Sequence, residues 1–426
     1  MDFNTLLLRL GISSENFSNK YSEAIKIENG FLYDAEQEVI ERICPYCSST
    51  ETVIKGHYIT ETSCSENENF KDVLRIKRVR LFCKKCHKTF SPKIKGIEKY
   101  SKISKQVELF IVNDFSKPFT FSDIAKRYSI TKNRVIQIFD EKIKLVPRRR
   151  IPKILCVDEI HFCEELDQKY CCVLYDFENK EIVDIIRNRK IDYLNNYFAN
   201  ISQKERENTR IFISDMYEGY STICRRFFPK AVHIIDMFHI VTQVSRAVNS
   251  LRVRTMNGYS EKGDSYYNFM KTHWKYFLCR SEKVPNKIYT NMKTGEVFHY
   301  DNLIYKCITF DSDFWEGYLV LQDLFHFNFK TTYDETLSFV KHISGRLLDC
   351  KSDLLKKVGE TFIKWRYEIA NAFTREAKEL HYTNAIAECL NNQLKTIIKS
   401  AYGYHNFERF RKRAMLIITY TKRTQD

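Results

Sequence analysis

The sequence predicts an α/β protein in which a mixed sheet flanked by helices follows two small N-terminal modules. Three observations carry that prediction. Five short apolar runs alternate with helical stretches between residues 154 and 236. Two CxxC pairs sit within 41–95, and residues 118–143 spell two short helices joined by a turn. The chain has 426 residues, which at roughly 100–200 residues per domain allows about two to four domains. Hydrophobic residues make up 43% and charged residues 29%, enough for a packed core and too apolar for a disordered chain. With 12 Gly and 7 Pro, collagen-like and low-complexity readings fall away. The formal charge of +15 favours a polyanionic partner, most often nucleic acid.

No run of about 18 apolar residues exists, so no membrane-spanning helix is expected. The opening MDFNTLLLRLGISSENFSNK lacks a basic start and a small-residue cleavage site, and reads as mature protein rather than a signal peptide. The 14 cysteines, without an export signal, point to reduced thiols and a metal site rather than disulfides, and to a cytoplasmic protein.

Residues 1–40 read as a helical or irregular lead-in. In the next segment, 41–95, Cys44 and Cys47 form one CxxC pair and Cys83 and Cys86 the other. Thiolates at this spacing reach one ion from a tight turn, and four of them complete a tetrahedral structural zinc site. The intervening 35 residues suit a β-hairpin. A redox motif or coincidence is the competing reading, and His87 and Cys64 are spare ligands. The run VLRIKRVRLF at 73–82 alternates like a strand. Its Arg75, Lys77, Arg78 and Arg80 suit either phosphate contact or a charged, solvated edge strand.

Residues 100–146 form the second module. Ile124 and Ala125 are expected inside its first helix, with Ser122 or Asp123 as the cap. Thr131 is expected to cap the second, whose apolar face is Val135, Ile136 and Phe139. Lys132, Asn133, Arg134 and Gln137 then project as a recognition helix would toward a major groove. An ordinary αα-hairpin is the alternative. PRRRIPK at 147–153 reads as a linker.

Past the linker, ILCVDEI (154–160), YCCVLYD (170–176) and EIVDIIR (181–187) read as an antiparallel meander. A helix near 191–202, a strand at 210–215, a helix near 218–227, a strand at 231–236 and a helix from about 238 follow. That order fits helices packed on a mixed sheet. Residues 252–380 are mostly helical in pattern, and 381–422 reads as two amphipathic helices about the turn SAYGYHN.

Asp158 is expected at or near the tip of the first strand of this layer and Asp215 at the tip of the fourth, in the crevice where α/β sheets place their chemistry. Two such carboxylates repel unless cations bridge them. Mg²⁺ is the natural ion, and two ions would clamp both oxygens of a phosphodiester displacement. Glu388 is the candidate third acid. Asn391, Asn392, Lys395 and Lys399 follow it at helical spacing on the same face, lysines suited to phosphate. Each acid alone reads more readily as a surface or capping residue; the two strand-end aspartates together bring the catalytic reading level with that one. Asp236 and His239 suit a helix cap and a core histidine, or outer support for the crevice.

The order CPYC, CKKC, helix-turn-helix, CVDEIHF, ISDMYEGY, IIDMFHI and NAIAECLNNQLKTIIKSAYGYHNFERFR resembles the ISL-three family of bacterial insertion-sequence transposases, over about 40–422. The resemblance implies a ribonuclease-H-like core at 147–251 and 381–426, with a helical insertion at 252–380. It implies Asp158, Asp215 and Glu388 as a triad holding two Mg²⁺ (or Mn²⁺) ions, and Lys395 near DNA phosphate. It further implies binding of double-stranded DNA at transposon ends and target by a homodimer or higher oligomer. The last motif departs from the family in carrying Lys-Thr-Ile-Ile-Lys-Ser where a more basic run is usual. A DNA-binding regulator that keeps the fold without the reaction, and a nuclease that cuts without joining, are the alternatives.

Overall fold

A computed structural model describes the chain except residues 1–2, 19–22, 29, 65–71, 99–100, 163–168, 260–263, 328–331, 375–384, 402–403 and 424–426. The chain divides into two compact units, Met1–Pro147 with Gln393–Asp426, and Arg148–Asn392.

In the first unit, helix α1 (Phe3–Arg9) precedes strands β1 (Ile25–Ile27), β2 (Gly30–Glu36), β3 (Thr52–Ser63), β4 (Val73–Cys83) and β5 (Thr89–Phe90). The hairpin expected between the CxxC pairs is present: β3 and β4 pair antiparallel from Thr52↔Cys83 to Ser63↔Val73. The lead-in contributes more than expected, because β2 adds to β4 in parallel, Leu32↔Val73 to Glu36↔Lys77. That pairing also settles part of the basic strand. Arg75 bonds Asp34 at 2.6 Å and Lys77 bonds Glu36 at 2.9 Å, so β2 supplies the acids for two of its four cations. Arg78 is buried against Pro92 O, and Arg80 stacks on Tyr58.

Helices α2 (Lys105–Asp114), α3 (Phe121–Arg127) and α4 (Lys132–Lys142) follow. Thr131 caps α4 as expected. For α3 the cap is Thr120, with Asp123 closing a capping box at the third helical position. Ile138, rather than Ile136, joins Val135 and Phe139 inside. One hydrophobic core runs from α1 through β2 and β4 to α2, α3 and α4. The helix Phe407–Arg423 belongs to the same unit. Its Arg413, 1% exposed, donates to the carbonyls of Lys117 and Phe119. Both carbonyls lie in the turn between α2 and α3.

In the second unit, β6 (Ile154–His161), β7 (Tyr170–Asp176) and β8 (Glu181–Ile186) form the antiparallel meander. Helices α5 (Ile191–Ala199) and α6 (Gln203–Arg206) lead to β9 (Ile211–Ser214), and α7 (Glu218–Phe227) leads to β10 (Val232–Ile235). The sheet order is β10-β9-β6-β7-β8, with β9 parallel to both β6 and β10. Leu155 and Val157 of β6, with Phe212 of β9, pack in one cluster with Leu194 and Phe198 of α5 and Ile223 of α7.

Helix α8 (Met237–Gly258) then opens a mostly helical segment: α9 (Ser265–Thr272), a hairpin of β11 (Ile288–Thr290) and β12 (Val297–His299), α10 (Tyr300–Thr309), α11 (Ser312–His326), α12 (Tyr333–Asp349), α13 (Asp353–Lys364) and α14 (Arg366–Ala372). The hairpin interrupts the helical pattern expected for 252–380. The helix Ala385–Ser400 carries Glu388 in its first turn. Among the described residues no helix is long and apolar enough to cross a membrane.

Candidate active site and metal centre

The parallel β6–β9 ladder ends at Cys156↔Ile213. Asp158 and Asp215 each lie two residues further on, so adjacent strands about 5 Å apart present both carboxylates from the same end. Asp158 is not at a strand tip, as the sequence had suggested. Strand β6 runs on to His161, pairing with Tyr170 of β7, after β9 has already stopped. Asp215 does sit just past its strand. The chain beneath it is anchored: buried Ser214 donates its hydroxyl to Asp215 O and contacts His233 Nε2 at 2.8 Å. With its proton so committed, Ser214 can only accept from His233, which fixes the Nε2–H tautomer. Burial holds the His233 ring neutral, its pKa pushed down to about 3.

Both aspartates are strongly perturbed. Burial raises Asp158 to about 6, with the neighbouring Glu159 N–H opposing it. Burial likewise raises Asp215 to about 6, and the charges of Glu159 and Asp158 add to the effect while His239 opposes it. Asp158 is hydrogen-bonded, accepting from Glu159 N at Oδ1 and Asn391 Nδ2 at Oδ2, each at 2.8 Å. Asp215 Oδ1 is buried without a hydrogen-bond partner. An orphaned carboxylate oxygen beside a second carboxylate is a group in search of a cation. The donors are hard oxygens, which suit Mg²⁺ or Mn²⁺.

Other charges surround the pair. Glu159, one residue on and so on the other side of the strand, is paired with Arg189. The Arg189 guanidinium lies over the rings of Tyr170 and Tyr217 at 5.0 and 5.3 Å. Asp236, 1% exposed, caps α8 by accepting from Phe238 N. His239, one turn into α8, approaches Asp236 at 3.8 Å. Its positive form would favour ionised Asp158 and Asp215 alike.

Glu388 is exposed in the first turn of its helix. Among the described residues it forms no cluster with the aspartates at metal-binding distance. Its helix nonetheless reaches the site through Asn391, one turn on, which bonds Asp158. Lys395 and Lys399 are exposed and lie in the part of that helix grouped with the first unit.

The cysteine site is closed. The sulfurs of Cys44, Cys47, Cys83 and Cys86 all lie within 4.8 Å of one another. Cys44 and Cys86 are 3.5 Å apart, Cys47 and Cys83 3.6 Å. A tetrahedron with 2.3 Å bonds has edges of about 3.8 Å, so the four thiols fit zinc. Two matching turns produce this. Ser48 N donates to Cys44 O and His87 N to Cys83 O, each at 2.9 Å, with Ser48 and His87 both at φ 57°. His87 is therefore a turn residue rather than a ligand. Cys64 is packed in the hydrophobic core.

On α4, Lys132, Asn133 and Gln137 are exposed. Arg134 instead leans on α2, 3.6 Å from Glu108. Sequence reasoning gave no role to Asn391, Tyr175 or Arg189. The nearest signal was the position of Asn391 on the Glu388 side of an amphipathic helix.

A transposase family model of the DDE, ISL-three type matches residues 155–414, more than half of the chain. No curated protein matches. The matched span starts inside β6, contains Asp158, Asp215 and Glu388, and excludes the four cysteines and α2 to α4.

Proposed function

This chain belongs to the ISL-three family of DDE transposases, and we propose that it cuts the terminal inverted repeats of an insertion sequence and joins the freed ends to target DNA. The observation that carries the proposal is the pair of neighbouring, half-buried aspartates with one orphaned oxygen. The strand order, with two crossover helices on one face, supports a ribonuclease-H-like core.

In this reading Asp158, Asp215 and Glu388 hold two Mg²⁺ or Mn²⁺ ions. Ions bound there activate water and neutralise charge at the attacking and leaving oxygens. Asp158 and Asp215 supply oxygens preset by their strands. Their raised proton affinity, near pH 6, makes them ready to exchange protons for cations. The reaction consists of two in-line displacements. Water breaks the phosphodiester at the element's end and leaves a 3′-hydroxyl. That hydroxyl then attacks a target phosphodiester, forming one P–O bond as another breaks, without a covalent enzyme link.

The Cys44, Cys47, Cys83 and Cys86 site holds structural zinc in this account. Lys132, Asn133 and Gln137 read the repeat, and Arg134 contributes after leaving Glu108. Lys395 and Lys399 contact phosphate, with Asp236 and His239 supporting the site. Two ends handled together call for a dimer or larger assembly, acting on chromosomal DNA in the cytoplasm.

The test uses zinc-loaded full-length protein and labelled DNA carrying the element's own ends, with Mg²⁺ or chelator. Joined products that require Mg²⁺ and vanish with Asp215→Asn, end binding being kept, are expected. Tight end binding with no cutting under any divalent ion would instead make the protein a DNA-binding regulator.

A further inference from the structure

We infer that Asn391 is the positioning residue that ties the helix of Glu388 to the carboxylate of Asp158, fixing that carboxylate for a divalent ion. The inference rests on the reading of Asp158 as a metal ligand. Asn391 is 4% exposed, and a buried primary amide must spend both of its ends. Here both are spent on the site. Asn391 Nδ2 donates to Asp158 Oδ2 at 2.8 Å, and Asn391 Oδ1 takes the hydroxyl proton of Tyr175. The ionised Asp158 carboxylate only accepts, so it takes the Asn391 amide nitrogen and leaves Oδ1 to the Tyr175 hydroxyl.

The result is a chain of donors, Tyr175 to Asn391 to Asp158, crossing from β7 through the helix to β6. Tyr175 pairs with Cys156 in the β6–β7 ladder, so the far end of the chain is anchored in the same sheet. The carboxylate plane of Asp158 is held at both oxygens, Oδ1 by Glu159 N and Oδ2 by Asn391, and each oxygen keeps a lone pair for an ion. Because Glu388 precedes Asn391 by one helical turn, the same bond sets where the first turn of that helix stands relative to β6. Aspartate or leucine would not serve at 391. The first sets a second charge against Asp158, and the second leaves the Tyr175 hydroxyl buried without an acceptor.

The experiment is Mn²⁺ binding to full-length, zinc-loaded protein, read from the electron paramagnetic resonance of free Mn²⁺. It is run beside a thermal melt and an end-binding measurement. Loss of an outer hydrogen bond to a metal ligand costs on the order of tenfold or more in affinity. Asn391→Ala is therefore expected to raise the Mn²⁺ dissociation constant about tenfold. Tyr175→Phe, which keeps the packing, is expected to raise it about threefold, with DNA-end binding unchanged in both. Wild-type affinity in Asn391→Ala and Tyr175→Phe, together with lost binding in Asp158→Asn, would overturn the role of Asn391 alone. Mn²⁺ binding that Asp158→Asn leaves intact would overturn the metal reading beneath it.

Discussion

The cysteine cluster and the aspartate pair are both candidate metal sites, yet they are built in opposite ways. Each CxxC pair is set by its own local turn, closed by backbone hydrogen bonds, and the β3–β4 hairpin brings the two pairs together. Thiols are neutral when protonated, so they gather without opposition. The backbone N–H of Cys86 draws the Cys83 thiol down to about 7, while against the Ser49 N–H burial and the neighbouring thiols push Cys47 up to about 12, so one proton is shared unevenly across the cluster. The aspartates are brought together by strands 50 residues and more apart in sequence, and their charges oppose the approach. Each is left with its proton held too tightly, and Glu388 stays outside in solvent. In the proposed reading zinc completes the first site as a piece of architecture, and an incoming cation relieves the charge repulsion of the second.

The largest expected difference is in what removing the metal does to the fold. Stripping zinc, or Cys83→Ser, should unfold the β3–β4 ribbon, since structural zinc contributes on the order of 10 kcal/mol to such modules. Zinc content and protease cutting within 41–95 would measure it. A ribbon that stays protected after chelation would erase the contrast.

The second difference has the opposite sign. Asp158 and Asp215 bind protons more tightly folded than unfolded, near 6 against 3.8. Their protonated forms therefore favour the folded state below about pH 4. That stabilisation is lost as pH rises through about 6 and stays lost above it. Without divalent ions, Asp215→Asn should thus raise stability at pH 8 by on the order of 2 kcal/mol. Urea melts at pH 5 and pH 8 should show the wild-type decline shrinking in the variant. A variant less stable than wild type at pH 8 would remove strain from the account.

The smallest effect sharpens the source of that strain. Arg189 offsets Glu159 beside Asp215. The pair is about a quarter exposed, with side-chain exposures of 31% and 21%. Arg189→Leu should therefore cost only about 1 kcal/mol, read in the same melts. No loss would mean that Tyr170 and Tyr217 hold this region without the cation.

Much of this was legible in the sequence. The five strands of the second sheet stand where short apolar runs stood, because a sheet covered by helices needs continuous apolar strands. The CxxC pairs were legible for the opposite reason: their geometry is local, set within five residues. Strand β2 was not, since its partner β4 lies some 40 residues downstream and GFLYDAE hardly alternates. Asn391 shares the side of Glu388 in the sequence, but an Asn on an amphipathic helix reads as solvent-facing, and the partner that gives it a task, Asp158, lies 233 residues away. The extension of β6 past Asp158 was hidden in the same way, depending on where its neighbour β9 stops.

The central claim is that an exposed glutamate and two strained aspartates act as one site. Its most direct test is Mg²⁺-dependent cleavage of the element's end DNA by Asp158→Asn, Asp215→Asn and Glu388→Gln, compared side by side with end binding as the control. All three are expected to bind ends like the wild type and to lose cleavage by several orders of magnitude. A Glu388→Gln protein that cuts and joins like the wild type would contradict it.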